Sequence, residues 1–118
     1  MRRAGAVAVL IALAAAPVTA ADAPDAVARG KSVYEIRCTP CHGEQGAGDG
    51  PAAAAINPKP RNFRDPAFWR GRTAAQVKLV VKEGRPGTLM APFEGVLSEA
   101  DIDAVVAYVM GTFAPPKP

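Results

Sequence analysis

The chain has 118 residues, 49% of them hydrophobic and 21% charged, with a formal charge of +3. That length leaves room for one small domain and excludes a large self-sufficient core. Beyond residue 20 the balance is 12 basic against 11 acidic side chains, with no basic run interleaved with aromatics, which excludes a nucleic-acid footprint.

The first stretch, MRRAGAVAVLIALAAAPVTAADAP, sets the basic pair Arg2 and Arg3 before an apolar run from Ala4 to Ala16, with small residues at Ala20 and Ala21. It reads as a secretory signal peptide over residues 1–20, cut after Ala20. Retention as a membrane anchor is the competing reading, because the run with its flanks approaches the roughly 20 residues of a spanning helix. Cleavage would leave residues 21–118 as one exported domain with no membrane span and an ordered core at about residues 25–111. Next, DAVARGKSVYEIR places Val27, Gly30, Tyr34 and Cys38 three to four apart. This spacing predicts an amphipathic helix over 25–37 with Asp25 as its cap.

CTPCH, residues 38–42, holds both cysteines and the only histidine of the chain. Cys-x-x-Cys-His is the attachment pattern of c-type haem: two thiols add to the vinyl groups and the adjacent imidazole coordinates the iron. Cys38 and Cys41 lie about one helical turn apart, so both sulfurs reach one edge of a planar ring. The rival reading is a dithiol oxidoreductase, but those motifs open a helix in a βαβ setting. An export compartment would also permit a plain disulfide, which leaves His42 without a role.

The segment GEQGAGDGPAAAAINPKPRNFRDP is dense in glycine and proline and predicts a wrapping loop, with a short helical turn at Ala52–Ala55. Thr73 and Gln76 stand in capping-box register ahead of Val77, Val80 and Val81, a second helix that stops at Gly84. After the loop RPGTLMAPFEGV, Ser98 and Asp101 cap a third helix whose stripe is Ile102, Val105, Val106 and Val109, ending near Gly111 ahead of an unstructured tail. The fold class is therefore all-α, three main helices with wrapping loops around an organic cofactor that supplies the missing apolar bulk. With no second histidine, Met90 and Met110 are the candidates for the sixth iron ligand. Met90 sits in a loop between Gly87 and Pro92 that can aim it inward. Met110 lies about 200° around its helix from Tyr108 and reads as core filler.

On these residues the chain resembles class I c-type cytochromes, the monohaem cytochrome c family, from about Asp25 to Gly111. GKSVYEIRCTPCHG is similar to the family's first helix and haem site. The resemblance implies that Gly30 and Tyr34 let this helix cross the last one closely, opposite Val105 and Tyr108. GTLMAPF looks like the family's methionine loop, with Ala91 where many members have proline. GDGPAA resembles the segment whose proline carbonyl accepts the haem histidine's Nδ1 proton, which would give Pro51 that task. Arg61 and Trp69 are the places to look for donors to the haem propionates.

The implied cofactor is one haem c, attached through Cys38 and Cys41 and ligated by His42 and Met90. The implied protein is a periplasmic one-electron carrier rather than an enzyme, docking transiently with a donor and an acceptor redox protein. Two alternatives stay open: a haem enzyme or gas sensor with Met90 off the iron, and a dithiol oxidoreductase without haem.

Overall fold

A computed structural model describes residues 4–15 and 24–116. The expected cleavage point after Ala20 lies outside the described residues. Residues 4–15 carry no regular secondary structure and are exposed. Among the described residues, no helix is long and apolar enough to cross a membrane.

Helix α1 (Pro24–Val33) begins one residue earlier than the sequence suggests, so Asp25 sits in its first turn rather than at its cap. The rod does not stop at Arg37. It continues through a π-helical turn, Tyr34–Cys38, into the short helix α2 (Thr39–His42), so the attachment motif is itself helical. Pro40 explains the wide turn. It brings no N–H for the carbonyl four residues back and its ring crowds that carbonyl, and helices relieve this by widening locally. The Thr39 N–H accordingly donates to the Tyr34 carbonyl, five residues back, and the Thr39 hydroxyl lies 2.9 Å from the carbonyls of both Tyr34 and Glu35.

After a 3-10 turn at Ala53–Ala55, helix α3 (Pro66–Trp69) starts with the Asp65 carboxylate accepting from the Ala67 N–H and with proline in its first turn. Helix α4 (Ala74–Glu83) has the reciprocal Thr73–Gln76 capping box. In helix α5 (Glu99–Phe113) the Ser98 hydroxyl accepts from the Asp101 N–H. This last helix passes through Gly111 to Phe113, a buried core residue, which corrects the expectation of an unstructured tail from Thr112.

Helix α5 is the spine of the core. Val105, Val109 and Phe113 pack with Tyr34, while Ile102 and Val106 pack with Val77 of α4, and Trp69 and Val81 touch both groups. Helices α1 and α5 cross at Gly30, where a Cβ would overlap the Ala104 carbonyl and meet the Tyr108 Cβ. Only glycine permits that approach, as the family resemblance implies. Val27 departs from expectation. It is 64% exposed, so the buried face of the first helix is Gly30 and Tyr34, with Cys38 half-buried.

Candidate haem site

The site is built from the end of the first rod. Its last carbonyls have no partners inside the helix, and the glycine-rich loop that follows supplies them: the N–H groups of Gly43, Gly48, Gly50 and Ala52 donate to Thr39, His42, Cys41 and Pro40 respectively. Gly43 takes a φ of +82°, which turns the chain back under the helix. The buried Tyr34 hydroxyl donates to the Gly43 carbonyl at 2.6 Å and locks that turn. The loop 43–55 thus packs on the helix end and stays off the cavity wall, rather than wrapping the cofactor as the sequence suggested.

Cys38, Cys41 and His42 face a cavity of about 500 Å³. Its other walls include Val80 and Val81 of α4, Val105 and Val106 of α5, and the loop that carries Met90. That loop is sewn to the end of α4. The Phe93 and Glu94 N–H groups donate to the otherwise unpaired carbonyls of Val81 and Lys82, and the Arg85 N–H donates to the Met90 carbonyl at 3.0 Å. Gly84, at φ +71°, is what lets the strap pass: a Cβ there would come within 2.6 Å of the Met90 carbonyl oxygen. Met90 therefore lines the cavity. Met110 does not; it packs against Val77, Ile102 and Val106.

The imidazole of His42 is fixed by two contacts that sequence reasoning did not assign. Its ring stacks on Phe63, with centroids 4.4 Å apart and planes 18° apart. Its Nδ1 lies 3.2 Å from the Arg61 carbonyl. A carbonyl can only accept, so Nδ1 carries the proton and Nε2 keeps its lone pair. Burial pushes the His42 pKa down, partly opposed by the Arg61 carbonyl, so the ring is neutral at physiological pH. Burial, and secondarily Cys41, pushes the Cys38 thiol up to about 12.

Two expectations are corrected here. Pro51 is exposed and is not the acceptor for His42; the Arg61 carbonyl has that place, because the 43–55 loop is drawn to the helix end while the segment 56–63 runs along the cavity. Trp69 is no propionate donor: its indole N–H is spent on the Phe63 carbonyl at 2.6 Å, holding the residue that stacks on His42. The Arg61 side chain does line the cavity. Phe63 was legible only as one aromatic in a polar loop, and the Arg61 carbonyl left no trace in the sequence.

These residues fit a tetrapyrrole iron. Two thiols to bond the ring, an imidazole with a free lone pair and a thioether are the set that a c-type haem site requires, and here they share one largely apolar cavity of suitable size for a cofactor.

Known proteins agree. The family model described as "Cytochrome C oxidase, cbb3-type, subunit III" matches residues 25–109. Cytochrome c-554(547) of Halothiobacillus neapolitanus is 38% identical over 70% of this chain and 91% of its own length. The dihydro-heme d1 dehydrogenase of Pseudomonas aeruginosa is 36% identical over 92% of this chain, and this chain spans about a fifth (20%) of that protein. Among solved structures, the KustC0563 c-type cytochrome superposes with a TM-score of 0.59 at 27% identity, over 73% of this chain and 98% of the other. The chain thus belongs to the cytochrome c oxidase, cbb3-type, subunit III family of c-type cytochromes, electron-transfer proteins that carry covalent haem.

Proposed function

We propose that the protein is a periplasmic monohaem one-electron carrier, exported by the segment 1–20, in which Cys38 and Cys41 would bond the haem as thioethers and His42 and Met90 would ligate its iron. The observation that carries this reading is that these four side chains alone, among the chain's cysteine, histidine and methionine residues in the described structure, line one cavity. When bound, the haem supplies a one-electron iron couple whose potential a His/Met pair raises.

The chain's own residues supply rigidity. Phe63 and the Arg61 carbonyl hold the imidazole at a fixed angle, and the strap between Gly84 and Phe93, tied by its backbone to the end of α4, carries Met90 at the cavity wall. Val77, Val80, Val105 and Val106 keep water from the cavity floor. With His42 and the Met90 strap both held by the fold, the residues that would ligate the iron would move little as its charge changes. Donor and acceptor redox proteins are the partners, meeting the carrier transiently. The match to one fifth of a dihydro-heme d1 dehydrogenase supports exchange with an oxidoreductase centre.

Optical spectroscopy of the exported protein tests the proposal. The pigment should survive acidified-solvent extraction and give low-spin haem with the far-red methionine-to-iron band in the ferric state. High-spin ferric haem that binds carbon monoxide readily when reduced would identify a haem enzyme or sensor with an open iron. A pigment-free protein with reactive thiols would identify a dithiol oxidoreductase.

A further inference from the structure

Three guanidinium groups gather on the cavity wall with no carboxylate among the described residues to answer them. Arg61, Arg72 and Arg85 all line the cavity. The Arg72 guanidinium carbon lies 4.2 Å from the centroid of the buried Phe68 ring, and that of Arg61 lies 5.3 Å from the same ring. Arg72 is also tethered, its Nε–H donating to the Phe68 carbonyl at 2.8 Å. Burial, and then the charges of Arg61 and Arg85, hold the Arg72 pKa below its ordinary value.

None of the three takes part in an ion pair among the described residues, where the pairs employ Arg29, Lys31, Lys78 and Lys82. Besides Cys38, Cys41 and His42, the other ionisable groups on the wall are Tyr34, Arg37 and Lys59, so no carboxylate among the described residues faces the cavity. Like charges gathered beside an apolar space oppose one another. The arrangement is relieved if whatever fills the cavity brings anions to that side.

We propose that Arg72, flanked by Arg61 and Arg85, is the clamp that holds the two carboxylate groups of the haem. This rests on the reading of the cavity as a haem site. The Nε–H is committed to Phe68, which fixes the plane of the guanidinium and leaves its outer N–H groups for a forked, charge-assisted contact. Arg61 and Arg85 add charge close by. A carboxylate beside such a group stays ionised well below neutral pH, so the reduction potential of the native protein is flat across the neutral range.

Potentiometric titration of the holoprotein from about pH 5 to about pH 9 tests this. In Arg72→Gln the pH at which the potential begins to rise on acidification should move up by about one to three units, because protonating a carboxylate near the iron disfavours the ferric state. At the alkaline end the potential should lie below that of the native protein, since a positive charge is gone. Arg72→Lys, which keeps the charge and loses the fork, should shift the step less. Arg70→Gln, an equal charge change at an exposed residue off the cavity wall, should leave the step in place. An unmoved step in Arg72→Gln, or an equal shift in Arg70→Gln, overturns the clamp. If Arg72→Gln fails to accumulate, Arg85→Gln serves, with a smaller shift in the same direction expected and no shift overturning the proposal. A native protein without low-spin haem would instead overturn the functional reading, which its spectrum decides before any titration.

Discussion

Met90 and Met110 offer the same thioether, and their surroundings separate them. Met90 is presented to the cavity by a strap, whereas Met110 fills space between α4 and α5. Met90→Ala should lower the reduction potential and let carbon monoxide bind the reduced protein. Met110→Ala should leave both unchanged while reducing stability by about 1–2 kcal/mol, less than a fully buried methionine would. Potentiometry and denaturant unfolding check the pair, and swapped outcomes would reverse the ligand assignment. Tyr34 acts through one oxygen atom. Removing it in Tyr34→Phe strands the Gly43 carbonyl and should cost about 1–3 kcal/mol in unfolding free energy. Burial first, then the charges that Cys38, Tyr108 and Asp49 can carry, pushes the Tyr34 hydroxyl above its ordinary value of 10.0. A raised folded-state pKa means that this stabilisation is complete below about pH 10 and is lost as pH rises beyond it. Stability measured from about pH 8 to about pH 11 should therefore fall less steeply in Tyr34→Phe than in the native protein.

At the level of helices, the crossing of α1 on α5 is the contact least able to adjust. Gly30→Ala places a methyl into the Ala104 carbonyl, which is backbone and cannot rotate away. The helices must part, at a cost of about 1–3 kcal/mol or more, visible as a lower unfolding midpoint followed through the haem absorption. This contact was implied beforehand by the family resemblance of GKSVYEIRCTPCHG, whereas the caps at Thr73 and Ser98 were legible in the residues themselves, because caps and helical stripes are local chemistry. Other features were not. The brief helix at Pro66–Trp69 has too few residues to show a period, though Asp65 followed by Pro66 is its signature. Phe113 follows Gly111, which reads as a stop, yet its ring packs on Tyr34 and Phe63, and burying it carries the helix onward. The partner of His42 was out of reach for another reason: Arg61 is 19 residues away and acts through its backbone, which no side chain advertises.

For the molecule as a whole, the described residues form two modest apolar clusters beside a cavity. Much of what would be core is cofactor space, so folding and attachment are coupled. Substituting Cys38 and Cys41 together by alanine should abolish covalent pigment and sharply reduce the amount of folded protein recovered. Normal loading in that variant would refute the anchor assignment. The wide turn at Tyr34–Cys38 adds a constraint of another kind. It joins two halves of one rod that answer to different masters: Gly30 and Tyr34 upstream are registered against α5, while the sulfurs and the imidazole downstream face the cavity that the proposed haem would fill. Deleting or inserting a single residue between them would swing one half about 100° relative to the other. Residues 35–37 can thus change in kind but not in number, and an insertion or deletion there should abolish maturation even where Tyr34, Cys38, Cys41 and His42 are all kept.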